Sequence, residues 1–235
     1  ANAFNGKAKV GGIWYNIVTK AQKAEVTADY PLYQGRVVIP KTIVYEGVTC
    51  NVTAIGEGAF AQSEVQQVVI PSSVTSIGSR AFIFCGKLNS VTIPESVETI
   101  GSRAFDGCFN LKNIKLPRNL KSIEEGVFQG CNQLQAIVIP EKVTKIGPYA
   151  FNGCRNMKTV SLNEKLESIS YNAFSGCGLL SVAIPNAVRI IESETFKECP
   201  SLKTLTIGCG VEEISHGAFE KCGDLKDVYL NGGRL

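Results

Sequence analysis

Nine cysteines and a single histidine are the residues of this chain whose types could do chemistry. Seven of the cysteines, Cys85, Cys108, Cys131, Cys154, Cys177, Cys199 and Cys222, recur at steps of 22 or 23 residues. Each stands three residues after a phenylalanine, whereas Cys50 and Cys209 fall outside the column. Three chemistries fit a row of thiols. One small buried thiol per turn would fill a slot and bond weakly to a neighbouring backbone group. Adjacent rungs about 4.8 Å apart would lie within the Cα separations a disulfide permits. Against this, side chains stacked in parallel point the same way, and seven cannot all pair. A metal or iron–sulfur site would need converging sulfurs, and a line is not a tetrahedron; no CxxC spacing accompanies it. The buried-thiol reading asks least of the geometry, so the cysteine count fixes no compartment, and whether Cys50 or Cys209 joins a disulfide stays open.

His216 is the only histidine, in the turn ISHGAF, so any Ser-His-Asp triad would have to be built around it, and no nucleophile elbow is present. The acidic pairs Glu124–Glu125 and Glu212–Glu213 sit on turns without the facing arrangement of glycosidase carboxylates. There is no phosphate-binding glycine loop, calcium loop or zinc signature. These residues point away from catalysis and call for no cofactor or metal.

The cysteines are one column of a larger pattern. Phe60, Phe82, Phe105, Phe128, Phe151, Phe174, Phe196 and Phe219 are separated by 22 or 23 residues. The unit from Leu88 to Asn110, LNSVTIPESVETIGSRAFDGCFN, is typical, and Leu111 to Gln133 repeats it. A period of this length is that of a leucine-rich repeat. Val91 and Ile93 alternate as a strand does and point to one face, with Ser90 and Thr92 on the other. Pro94 lacks a ladder donor and ends the strand. Val97 and Ile100 return inward, Gly101 relieves a turn, and Ala104 and Phe105 pack inward from a short turn or helical piece. No single unit can bury its apolar face; stacking does so. The expected fold is therefore a curved leucine-rich-repeat solenoid of α/β-type repeats. One parallel β-sheet of roughly 40 Å would line its concave face, with short turns, 3-10 or helical pieces on the convex side.

The ends depart from the repeat. Residues 1–41 read as an N-terminal β-hairpin cap with a lead-in strand, and residues 42–235 as the solenoid, continuous with the cap. In the cap Ile13, Tyr15 and Ile17 alternate with Trp14, Asn16 and Val18, so one of Trp14 and Tyr15 is expected in the core. A second strand is expected at Ala24–Ala28. Ile39 precedes Ile70 by 31 residues, which implies an insertion around Val44 to Asn51. At the far end Leu225, Val228 and Leu230 form a last strand before NGGRL, and a bare strand there would invite self-association.

Composition narrows the partners. The formal charge is +3, with Lys and Arg scattered along the sequence rather than clustered, so no nucleic-acid face is expected. No apolar run is long enough to span a membrane, and the polar start suggests a chain whose signal peptide has been removed. The open sheet face remains. One outward column reads Gln67, Ser90, Asn113, Ala136, Thr159, Ser181, Thr204 and Asp227; the other reads Val69, Thr92, Lys115, Val138, Ser161, Ala183, Thr206 and Tyr229. Gln67, Ser90, Thr92, Asn113, Lys115, Thr159, Ser161, Thr204, Thr206, Asp227 and Tyr229 are the candidate binding residues. They suit a wide shallow contact and show no cluster of Trp, Tyr or Arg anchors.

The pattern I-P-x-x-V-x-x-I-G-x-x-A-F-x-x-C resembles the BspA-like, or Treponema pallidum type, leucine-rich-repeat surface proteins, from about Val52 to Leu230. GIWYNI and YQGRVVIP look like the lead-in of the same family. Leu162-Asn163 and Ile207-Gly208 replace Ile-Pro, and Val127 and Thr195 replace the alanine before phenylalanine. The resemblance implies a secreted or surface-anchored bacterial protein, often of a gut or oral anaerobe. It implies adhesin-like recognition of a host protein, cell surface or glycan. The alternative is a rigid spacer or self-association domain in a larger surface protein. Because fold alone does not dictate function, both remain expectations.

Overall fold

The computed structural model describes residues 3–231. Its N-terminal strands β1 (Gly6–Val10), β2 (Ile13–Val18) and β3 (Lys23–Thr27) form an antiparallel meander, one strand more than the sequence pattern suggested. The period-two pattern of β2 places Tyr15 fully in the core and leaves Trp14 half-buried, with the Lys7 ammonium 5.6 Å from its ring centre. β4 (Gln34–Val38) begins the sheet face. The insertion in the first turn is the hairpin β5 (Thr42–Tyr45) and β6 (Val48–Ile55). β3 pairs with β6 in parallel, so the meander and the first turn share one sheet. β7 (Glu64–Val69) pairs in parallel with β4.

From there the repeats contribute two short strands each, except the repeat from Leu111, which contributes only Ser122–Ile123. The first holds the alternating residues of the sheet face, such as Ser90–Thr92. The second is a two-residue strand after the proline turn, such as Thr99–Ile100, which stacks into a lateral ladder. The expected single sheet is three sheets: β4, β7 and Ser90–Thr92; then Ala136–Val138 and Thr159–Ser161; then Ser181–Ile184, Thr204–Ile207 and Asp227–Leu230. The second interruption coincides with a shortened loop, because Val182 follows Cys177 by five residues where the other repeats have six.

The expectation of α/β-type repeats with helical pieces is overturned: no residue among 3–231 is helical, and the solenoid is all-β. The physical reason lies in the turns around each Ala-Phe pair. Arg80, Phe82 and Phe84 donate their N–H groups to Ser102, Ala104 and Asp106 of the next repeat, at 2.9, 2.7 and 2.7 Å. Ala81, Ile83 and Cys85, between them, donate within the repeat to residues three back. The pattern recurs at Arg103, Phe105 and Gly107, whose N–H groups reach Glu125, Val127 and Gln129. An α-helix needs every N–H to bond four residues back, and here every second one is committed to the neighbouring turn. Left-handed residues flank each pair: Arg80 and Phe84 have φ of 55° and 56°, and Tyr149 and Gly153 have 57° and 79°. A left-handed residue every fourth position is incompatible with a right-handed helix.

The core is a stack of rings. Phe60 through Phe219 follow one another with centroids 5.0 to 5.5 Å apart and planes within 13° of parallel, and Tyr33 closes the N-terminal end at 4.9 Å. Leucine, valine and isoleucine from both strand rows pack around it. The departures from the repeat are satisfied locally. Asn163, in the proline position, donates to Pro140 O and Val143 O at 2.6 and 2.9 Å and accepts from Lys165 N. Thr195, fully buried in an alanine position, donates to Glu192 O at 2.7 Å. The last strand, Asp227–Leu230, on which the self-association expectation rested, is exposed along its length and pairs with Thr204–Ile207 on one side; Asn231 is the last described residue.

Candidate functional site

The cysteine column is built into the backbone. Each thiol donates to the carbonyl of the phenylalanine in the preceding repeat: Cys85 to Phe60, Cys108 to Phe82, Cys131 to Phe105, Cys154 to Phe128, Cys177 to Phe151, Cys199 to Phe174 and Cys222 to Phe196, at 2.9 to 3.2 Å. Ser63 takes the column's place in the first full turn, its hydroxyl 3.6 Å from the Cys85 sulfur. All nine cysteines are free. Burial pushes the thiols of Cys108, Cys131 and Cys154 well above the ordinary range, which disfavours the thiolate that a nucleophile or metal ligand requires. Cys50 is buried, and Cys209 is exposed on a turn. No group of three potential metal ligands occurs among the described residues. His216 is exposed on its turn.

The sheet face presents the outward columns. Gln67 pairs with Ser90, and Val69 with Thr92. Thr159 and Ser161 lie beside Ala136 and Val138. Thr204 and Thr206 lie beside Asp227 and Tyr229. All are exposed except Val69, Thr204 and Thr206, which are half-buried. Asn113 and Lys115 behave differently. Their segment takes no strand pairing with Ser90–Thr92 on one side or Ala136–Val138 on the other. The lateral ladder is interrupted at the same junction, between Thr99–Ile100 and Ser122–Ile123. The turn side remains joined there through the Arg103, Phe105 and Gly107 bonds.

This seam holds a groove of about 700 Å³. Its floor is apolar, from Ile114, Leu116, Ile137, Val138 and Pro140, and Val138 is 68% exposed. Its rim is charged. Glu95 accepts from the Arg118 backbone N–H at 2.8 Å and pairs with the Arg118 guanidinium at 3.3 Å and the Lys115 ammonium at 3.5 Å. Those contacts, the backbone N–H first, hold the Glu95 carboxyl below the usual carboxylate range. Lys142 donates to Asn119 Oδ1 at 2.8 Å, and Glu141 completes the rim. A second recess of about 380 Å³ continues from it along the broken lateral ladder and shares Asn119 and Lys142. Of the expected face residues, the groove gathers Lys115 alone, together with Ala136 and Val138 from the same columns. Glu95, Arg118, Asn119, Glu141 and Lys142 come from the residues after the proline, outside the columns first considered. The signal for them was present: Glu95, Arg118 and Glu141 occupy one repeat position with alternating charge.

An apolar floor ringed by fixed polar groups is suited to recognising a ligand rather than transforming one. The family profile described as the BspA type leucine rich repeat region matches in six copies over residues 53–147 and 121–233. A leucine rich cell surface protein of Faecalibacterium prausnitzii superposes with a TM-score of 0.78 at 23% identity, covering 96% of this chain and 76% of its own. The Treponema pallidum leucine rich repeat protein gives 0.67 at 25% identity, with 94% and 91% covered. A leucine-rich repeat protein of Bacteroides ovatus gives 0.63 at 27% identity, with 93% and 81% covered. Comparison with curated proteins gives no match.

Proposed function

The chain belongs to the family of BspA type leucine rich repeats, and from that premise we propose that it is an adhesin-like, non-catalytic binding module displayed at a bacterial cell surface. It recognises a protein of a host or neighbouring cell through the seam groove and the flanking sheet face. The observation that carries this reading is the groove: an exposed apolar floor around Val138, framed by the Glu95–Arg118–Lys115 cluster, beside the Asn113–Lys115 segment that takes no strand pairing. An exposed aliphatic patch inside a polar rim is the usual anatomy of a protein contact. Display at the surface is supported by the Faecalibacterium structure, which is that of a cell surface protein. No helix among the described residues is long and apolar enough to cross a membrane.

The test is adhesion of beads coated with the chain to surfaces bearing a panel of extracellular matrix proteins. Saturable adhesion to one of them, abolished by Val138→Glu with Lys115→Glu, is the expected result. Adhesion unchanged in the double variant would remove the groove from the account, and no adhesion across the panel would overturn the adhesin reading.

A further inference from the structure

The lysines that look scattered along the sequence are stacked by the fold. In each repeat the residue after the buried leucine or methionine passes its backbone to the same residue of the next repeat. Gln135 N bonds Lys112 O, Lys158 N bonds Gln135 O, Leu180 N bonds Lys158 O, Lys203 N bonds Leu180 O and Lys226 N bonds Lys203 O, at 2.9 to 3.2 Å. One row on one flank therefore carries Lys112, Lys158, Lys203 and Lys226, all exposed. Each repeat advances about 4.8 Å, so Lys112, Lys158 and Lys203 follow one another at about 10 Å and the row spans about 24 Å. Among the described residues none of these lysines is in an ion pair: the solenoid's pairs lie elsewhere, as at Arg103–Glu125 and Arg189–Glu212.

A second row runs beside the first. The residue before the same leucine or methionine is Asn110, Gln133 and Asn156 in three successive repeats, all exposed. Their amides make no side-chain hydrogen bond among the described residues. Because Leu111, Leu134 and Met157 between the rows are fully buried, both rows flank the same strip of surface. A strip with cations on one side and unengaged amide donors and acceptors on the other matches a ligand that alternates acid groups with hydroxyls. The regular spacing is fixed by hydrogen-bonded backbone, so the ligand must be extended and regularly charged. An extended peptide carries hydroxyls only where Ser, Thr or Tyr occurs, not on every unit of its backbone, and single-stranded nucleic acid is gripped by stacking its bases on aromatic platforms; the two rows contain no aromatic residue.

We propose that this flank binds a linear acidic polysaccharide. Lys112, Lys158 and Lys203 meet its carboxylate or sulfate groups, and Asn110, Gln133 and Asn156 meet its hydroxyls. Each contact is weak alone, and a rigid row engaging one chain multiplies them. The surface is separate from the seam groove, so either assignment can fail while the other stands.

The test is equilibrium binding of the whole chain to four immobilised probes: heparin, hyaluronate, neutral dextran and a single-stranded oligonucleotide. Three variants accompany it. One combines Lys112→Gln, Lys158→Gln and Lys203→Gln. The second removes the same charge elsewhere, with Lys41→Gln, Lys145→Gln and Lys165→Gln. The third combines Asn110→Ala, Gln133→Ala and Asn156→Ala. All replace exposed side chains, and thermal melting confirms that each variant is folded. Expected are saturable binding to heparin or hyaluronate and none to dextran. Binding should weaken at least tenfold in the first variant, stay within about twofold in the second, and fall several-fold in the third. The distribution between heparin and hyaluronate tells a sulfate-reading strip from a carboxylate-reading one. No binding to either glycan, equal losses in the first two variants, or oligonucleotide binding as tight as glycan binding and insensitive to the amide changes would each overturn the proposal.

Discussion

A thiol closing each turn has consequences that thiol chemistry can read. Cys209 is exposed, Cys222 is half-buried, and the other seven cysteines are buried. A thiol reagent applied to the native chain should label Cys209 quickly and Cys222 next, and reach the rest only on unfolding. Rapid reaction of the whole column would contradict the hydrogen-bonded thiols described above. Stability should also fall at alkaline pH. Burial raises the thiols of Cys108, Cys131, Cys154 and Cys177 above their unfolded values. Above about pH 8.5 the unfolded chain loses these protons while the folded chain keeps them. The folded state then binds more protons than the unfolded state, so stability is fully present below that pH and is lost as pH rises. Each buried thiol should cost about 1.4 kcal/mol per pH unit in that range. A melting temperature unchanged between pH 8 and pH 10 would contradict it. The column itself was legible from spacing; its acceptor, the phenylalanine carbonyl of the preceding repeat, was not, because it depends on how successive turns nest.

At the scale of the element, the informative residues are glycines with different tasks. Gly101 lies where an added Cβ would stand 2.4 Å from Ser79 N, so the preceding turn occupies that space. Gly153 has φ of +79°, and a Cβ there would meet Gly130 at an ordinary 3.7 Å. Chemical denaturation should therefore find Gly153→Ala costing about 1 kcal/mol, from backbone strain alone. Gly101→Ala should cost more, about 3 kcal/mol, because backbone must move. The reverse order would show that close approach does not govern these turns. The same spacing explains what the pattern reading missed. Apolar periodicity placed Ala104 and Phe105 correctly in the core but does not distinguish a helical piece from nested turns. The distinction was written in Gly107, Gly130, Gly153 and Gly176, each two residues after the phenylalanine and each at positive φ. Arg103 and Tyr149 hide the matching turn before it, since neither residue type announces a left-handed backbone.

Across the whole molecule the phenylalanine stack ties every repeat to its neighbours, and the seam is where both strand rows let go. Phe128, fully buried between Phe105 and Phe151 at 5.5 Å from each, should cost about 3–5 kcal/mol as Phe128→Ala, measured by denaturant titration. A loss under 1 kcal/mol would mean that the stack fills space without joining the repeats. The solenoid, its largely apolar interior and its open face were legible in the repeat itself. The groove was not, since it arises from the failure of Asn113–Lys115 to pair, and that segment keeps the alternation of its neighbours. The central claim is that this groove binds a protein. It is tested most directly by titrating the bound matrix protein against the chain and against Val138→Glu. A charge on that floor should weaken binding by about 2 kcal/mol or more, roughly thirtyfold in Kd, with melting temperature unchanged. An unaltered Kd in a folded Val138→Glu chain would contradict it.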